Sequence, residues 1–599
     1  MIEIMQQFYK KNRGLIENSL FVIVLAFYPL FKVNQGLDVS DTAYSLVNFQ
    51  YFPSADGTWM TATYLANAIG YFLTGLPKGD TLLGMNFYSG LVVSFMAILF
   101  YYRLRQKMPA WIVFAGEMLA LCLCWCPTVI LYNYLTYLFM GAGVLLLHRG
   151  ICAQDSGRRS VLLLCAGVCL GVNVTVRMPN VVQAAFILAL WYGAWLQKRP
   201  FVRTLKDTFI CLLGYLAGFG VPFLTICIKY GIHAYPEMVK EMFAMTDKAT
   251  DYKPVSMLTG MFGDYAGGLF WLAFAGLCLG TLYVLYWLKK KFIPHKGWRL
   301  YQVICILTGI VLIRFYWGQG MFEFCYYNYR GIYGWAVLFL LMTAACAVSL
   351  LADKKRCMED KVLAVIVLLQ MLLTPIGSNN DLYPMINNMF LAAPFTLWVC
   401  GGWFAAAGKK EIHFPWQSMC LLFGLMVFVQ SMVFHAQFVF QDGVWGEKRD
   451  TLLADVSKAA GIYTNKENAE TFTDLVRYAE EEGFAGKKVI LYGEIPGISY
   501  FLDMPAAIST TWPDLDSYRL ERFQRDMEFV EMNMDKERPV VIVSSAVAAY
   551  KGEDGEAYAW FGVDTEVYDA DEKLAILLEF LDIYGYEETF CNMRYAVYK

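Results

Sequence analysis

The feature that most constrains this chain is a long series of apolar runs, each about as long as a bilayer is thick. A helix needs about 20 apolar residues to cross about 30 Å of hydrocarbon. Runs of this kind lie at 17–34, 82–102, 110–127, 128–147, 160–176, 180–197, 207–229, 266–288, 300–316, 331–352, 362–374, 388–407 and 416–435. Prolines at Pro127 and Pro179 divide two stretches too long for one crossing. The sequence therefore predicts a mainly α-helical, polytopic membrane unit of about thirteen spans. Composition agrees: 58% of the 599 residues are apolar and 17% are charged. Lys10, Lys11 and Arg13 precede the first run, but Lys32 and Asn34 follow it in place of a small-residue cleavage site. The segment reads as an uncleaved first span.

Charge gives the orientation. With the N-terminus in the cytoplasm and sides alternating, inner segments collect 24 of the 33 basic residues that precede Ala436. Arg103, Arg105 and Lys107, the run Lys289-Lys290-Lys291, and Lys354-Lys355-Arg356 are examples. That skew is the positive-inside pattern. An odd number of spans then puts the C-terminus outside the cytoplasm. The expected division is a membrane unit at 1–435 and a soluble extracytoplasmic α/β unit at 436–599. The second unit holds 16 basic and 32 acidic residues, a balance that does not suggest nucleic-acid binding. In it, 488–493 and 539–544 read as buried strands and 521–534 as a helix, which predicts a small parallel sheet. It has no GxGxxG sequence, so no nucleotide is assigned.

Outer segments 35–80, 230–265 and 375–387 are long, with an amphipathic stretch at 235–247, while inner loops are short and basic. Sixteen cysteines lie mostly in apolar runs, and the tail has only Cys591, so no disulfide framework is expected there. Cys122, Cys124 and Cys126 scatter around a helix, and none of the five histidines pairs at metal-like spacing. No metal or cofactor is predicted. Glu117, at membrane depth, is expected to be a structural, hydrogen-bonded acid.

The stretch Leu37-Asp38-Val39-Ser40-Asp41-Thr42-Ala43-Tyr44 follows the first span directly. Asp38 and Asp41 share a face if the segment is helical. Two like charges in a partly dry site raise one proton affinity, which suits a general base. The competing reading is a solvated loop that starts a short helix, with Ser40 or Asp41 as its N-cap.

Several motifs together resemble the GT-C superfamily of membrane glycosyltransferases, especially bacterial relatives of protein O-mannosyltransferases and aminoarabinose transferases. Asp41-Thr42-Ala43-Tyr44 stands where that family carries an acid in its first outer loop, with Thr42 in a place where Glu is common. Tyr132-Asn133-Tyr134-Leu135, the segment 175–180 and the segment 377–380 add to the similarity, which covers residues 10–435 and not the tail. The resemblance implies a polyprenyl-phosphate sugar donor, an exported glycan, lipid or protein as acceptor, and inverting transfer at the outer face of the bilayer. It implies a carboxylate base in this segment, Asp41 or Asp38, with Asp41 the first choice and Asp38 in support. Tyr44, Lys78, Arg177, Arg314, Arg330, Asn379 and Asn380 are the expected substrate-binding residues, with Arg177 the first choice for the donor phosphate. The competing classes are a transporter or flippase of lipid-linked saccharide and a polysaccharide polymerase or ligase. A flippase is expected to show pseudo-symmetric halves, and this sequence has no obvious internal repeat. A polymerase or ligase is expected to carry an arginine-rich central outer loop, and 230–265 contains no arginine.

Overall fold

The computed structural model describes residues 2–52, 54–244, 254–293, 297–325, 330–407, 416–442, 448–551 and 571–599. Each of the apolar runs coincides with a helix. In chain order these are Arg13–Leu30, Leu82–Leu104, Ala110–Leu123, Leu131–Cys152, Ser156–Val176, Met178–Leu196, Phe201–Tyr230, Pro254–Phe292, Trp298–Gly318, Arg330–Ala352, Met358–Leu373, Ala392–Ala407 and Trp416–Gln437. Among the described residues, nine helices are long and apolar enough to cross a membrane. The chain is a multi-pass membrane protein. The amphipathic outer stretch forms the helix Ala234–Ala244, and the rest of that stretch lies outside the described residues.

The tightest helix pair shows how sequence sets packing. Gly167 and Gly171 on Ser156–Val176 face Gly214 and Gly218 on Phe201–Tyr230. A Cβ at Gly171 would lie 1.9 Å from the Tyr215 carbonyl oxygen, and one at Gly214 would lie 2.1 Å from that of Leu164. The backbones touch because both helices carry small residues four apart, a membrane packing device. At Glu117 the expectation fails. Both carboxyl oxygens are buried and accept no hydrogen bond from any described residue. The surroundings supply few donors: on that turn the helix backs onto Pro394, and its neighbours in sequence are apolar.

The tail is built on a sheet of order β3-β4-β6-β5, with β3 at Val489–Tyr492, β4 at Val540–Ser544, β5 at Glu588–Cys591 and β6 at Tyr595–Tyr598. Only β3 and β4 pair in parallel, so the expectation of a parallel sheet holds for that half alone. The β4–β6 and β6–β5 pairs are antiparallel. The connection from β5 to β6 is a tight turn in which the Asn592 carbonyl-amide oxygen accepts the N–H groups of Arg594 and Tyr595. So short a link permits only antiparallel pairing.

Strand alternation divides the sheet into two faces. Ile490, Tyr492, Val541 and Val543 pack under the tail helices Leu520–Glu531 and Glu572–Ile583. Val489, Leu491, Val540 and Ile542 face the helix Lys466–Glu481, and their apolar cluster runs on without a break to Leu37, Ala43 and Leu46, which follow the first span. The smaller ribbon of β1 (Thr451–Leu453) and β2 (Ile462–Thr464) also reaches that loop. The Gly36 N–H donates to the Tyr463 carbonyl at 2.9 Å, and the Tyr463 N–H donates to that of Asn34 at 2.8 Å. The tail is therefore seated on the chain where it leaves the first span.

Candidate functional site

The loop after the first span turns into a helix at Asp41–Gln50. The first amide N–H groups of a helix have no partner within it and need an acceptor. Asp38 supplies one. Its Oδ2 accepts the Thr42 N–H at 2.7 Å, and its Oδ1 accepts the Ser40 N–H at 2.8 Å and the Ser40 hydroxyl at 2.6 Å. The cap is thus Asp38 rather than Ser40 or Asp41. Burial pushes the Asp38 carboxyl up, and these hydrogen bonds oppose that shift.

Capping by Asp38 leaves Asp41 unengaged. No described residue donates a hydrogen bond to its carboxylate, and the side chain is only partly covered. Desolvation pushes its pKa up to about 7, and the negative charges of Asp38 and Glu494 add to the shift. A carboxylate of that affinity accepts a proton readily at neutral pH.

Glu494 comes from the tail, in the loop after β3. Gly493 and Glu494 take positive φ angles of 93° and 60°, which turns the chain sharply. The Glu494 N–H donates to Asp514 Oδ2 at 2.7 Å, and burial pushes the Asp514 carboxyl up to about 6. The Gly497 N–H then donates to the Val39 carbonyl at 2.8 Å. A Cβ at Gly497 would stand 2.1 Å from the Ala43 Cβ, so this approach requires glycine. Sequence reasoning missed Glu494, Gly497, Thr510 and Trp512. The available signal was the glycine turn closing the strand at 488–493, because loops at the carboxyl ends of parallel strands commonly carry function.

The other expected residues divide. The Tyr44 ring meets Trp512 edge-on, centroids 5.4 Å apart. Arg177, at the end of Ser156–Val176, donates to the Gly377 carbonyl at 2.5 Å. That bond joins two of the motifs read from the sequence, 175–180 and 377–380. Asn379 and Asn380 are exposed on the turn that carries Gly377. Lys78 is exposed, two residues before Asp80, whose carbonyl accepts the Tyr500 hydroxyl of the tail. Arg314 is exposed on Trp298–Gly318, a helix with no buried residue. Arg330 opens the helix Arg330–Ala352, and its side chain lies outside the described residues. Among the described residues no group of three or more His, Cys, Asp or Glu is arranged to hold a metal ion.

No family description and no curated protein matches the sequence. Solved structures do match. An oligosaccharyltransferase of Archaeoglobus fulgidus, solved with zinc and sulfate, is 11% identical with a TM-score of 0.46, covering 90% of this chain and 69% of its own. The Archaeoglobus fulgidus oligosaccharyltransferase AglB, with an inhibitory peptide and dolichol-phosphate, is 10% identical with a TM-score of 0.45, covering 89% and 70%. ArnT of Cupriavidus metallidurans, bound to undecaprenyl phosphate, is 12% identical with a TM-score of 0.39, covering 97% of each chain. All three TM-scores lie below 0.5, at identities of 10–12%.

Proposed function

We propose that this chain is an inverting glycosyltransferase that moves a sugar from a polyprenyl-phosphate donor to an exported acceptor at the outer face of the membrane. The division into a catalytic membrane unit at 1–435 and a soluble outer unit at 436–599 is part of this reading. The observation that carries it is Asp41, an unengaged carboxylate with its pKa near 7, one short loop beyond the first span. An acceptor hydroxyl is a weak nucleophile and needs a base within hydrogen-bond reach. Asp41 takes the hydroxyl proton as the acceptor oxygen bonds to the anomeric carbon. The bond from that carbon to the phosphate oxygen breaks, and the lipid phosphate leaves with the electron pair. Attack opposite the leaving group inverts the carbon.

The leaving phosphate calls for a cation, and Arg177 at the outer end of its helix is the choice. The direct test is to incubate purified protein with radiolabelled polyprenyl-phosphate sugars and follow release of the lipid phosphate. Release is expected with at least one donor. Arg177→Ala should weaken donor binding, and Arg177→Lys should restore only part of it, because the two-pronged guanidinium contact is gone. Unchanged donor affinity in the alanine variant moves the role to Lys78, Arg314 or Arg330.

The acid–base reading has its own signature. The base must be ionised, so kcat/KM should rise with pH through about 7 and level off above it. Glu494→Gln removes a neighbouring negative charge and should move that rise to lower pH. A profile flat from pH 5 to 9 would contradict Asp41 as base.

The orientation in this proposal places the N-terminus in the cytoplasm and the tail outside. Glu528→Cys should then label with a membrane-impermeant thiol reagent in intact cells, above the parental background, and Lys290→Cys should not. The reverse pattern inverts the arrangement.

A further inference from the structure

Three residues on from Asp41, beginning at Tyr44, the loop after the first span and the tail line a pocket of about 310 Å³, within the range of about 300–1,000 Å³ usual for small-molecule sites. One wall is the helix Asp41–Gln50, which presents Tyr44 and Asn48 and continues to Tyr51. The tail segment 505–511 faces it, with Asp526 behind, and Asp56 and Trp59 close one side.

The lining has a definite chemistry. Tyr44, Tyr51 and Trp59 offer aromatic surface, Asn48 a side-chain amide, and Thr510 and Thr511 hydroxyls. Two carboxylates contribute and are held in place. Asp526 Oδ2 accepts the Ser509 N–H at 2.8 Å, and Asp56 Oδ1 accepts the Thr58 N–H at 2.9 Å and pairs with Arg522 at 3.1 Å. The other oxygen of each has no hydrogen-bond partner among the described residues. Trp59 Nε1 and Thr511 Oγ1 are also buried with no partner among them. No described lysine or arginine lines the pocket, and although Arg522 offsets the charge of Asp56, Asp526 leaves the lining net negative, which disfavours an anion. A phosphate is therefore a poor occupant. A neutral sugar ring fits, since it sets an apolar C–H face on an aromatic ring and needs both donors and acceptors around its edge.

Position fixes the role. A helix rises about 1.5 Å per residue, so Tyr44 and Asn48 lie about 4.5 and 10 Å along the axis from Asp41, a span of one or two sugar rings. We infer that this pocket is the acceptor subsite and that the acceptor is a glycan, held by a sugar ring behind the one whose hydroxyl meets Asp41. The assignment of the reacting end rests on the transfer reading above, while the saccharide site rests on the pocket itself.

Binding separates the two. Full-length protein in nanodiscs would be titrated with chitobiose, cellobiose, maltose and α-1,6-mannobiose, with ligand contact read by saturation-transfer NMR. At least one disaccharide should bind saturably. Asn48→Ala and Trp59→Phe should each weaken it about tenfold, which is about 1.4 kcal/mol. Melting temperatures of both variants are compared with the parent, and Asn48→Ala, a change in a half-buried side chain, decides if Trp59→Phe unfolds. Absence of binding by all four sugars, or binding unaffected by the pocket substitutions, overturns the glycan subsite. If no disaccharide binds and Asp41→Asn abolishes transfer, the transfer reading stands and the acceptor belongs to another class. If a disaccharide binds at the pocket and Asp41→Asn transfers normally, the subsite stands and the role of Asp41 falls.

Discussion

Asp41→Asn is expected to lower sugar transfer about 10²- to 10⁴-fold, the usual contribution of a general base, with expression and donor binding unchanged. Asparagine keeps the shape of the side chain and loses its basicity. No described residue donates a hydrogen bond to the Asp41 carboxylate, so the substitution breaks no observed bond. Asp38→Asn acts differently. It weakens the cap on the helix that carries Asp41 and should cost less activity and more stability, on the order of 1 kcal/mol for a lost cap. Stability provides a second readout for Asp41. Its pKa in the fold is raised from 3.8 to about 7, so the folded state favours the protonated acid. The stabilisation tied to that proton is complete below about pH 4 and is lost as the pH rises through about 7. Asp41→Asn should therefore melt above the parent at pH 8 and level with it near pH 4. If Asp38→Asn abolishes transfer and Asp41→Asn does not, the two roles exchange. If both variants keep full activity, the transfer mechanism fails and transport of a lipid-linked saccharide becomes the better account.

Gly497→Ala is the second large effect. The new methyl would lie 2.1 Å from the Ala43 Cβ and 2.6 Å from the Val39 carbonyl oxygen, and neither can rotate away. Overpacking of this kind costs about 1–3 kcal/mol, so the tail loop should lift off the acid-bearing turn. A displacement of about 1 Å at a reacting group can cost about 10²-fold in rate, and a loss of that size is expected here. Gly263→Ala, where the added methyl meets nothing within 4 Å, is the control and should leave transfer unchanged. Hydrogen exchange should rise at 38–47 and 493–501 in Gly497→Ala and nowhere in the control. Parental transfer with a lifted tail loop would show that the membrane unit works without its cover.

The sequence alone determined the helices. Apolar length is a local property, and a bilayer demands it segment by segment, so each run became a helix whatever its neighbours did. It also made Asp41 and Asp38 candidates, because two acids directly beyond an apolar run are visible without any partner, and it located strands β3 and β4 within a residue. The glycines at 167, 171, 214 and 218 were readable as small residues four apart, but the sequence did not say which helices they would join. The tertiary structure decided the rest. Asp38 is a cap, Tyr44 meets Trp512, Glu117 is left without a partner, and the sheet is half antiparallel. Above all, the surroundings of Asp41 come from both ends of the chain: its neighbour Glu494 belongs to the tail, and Gln50 on its helix bonds with Asp503 across 453 positions. A proton affinity is set by burial and by nearby charge, and both are made by residues that only folding brings within reach.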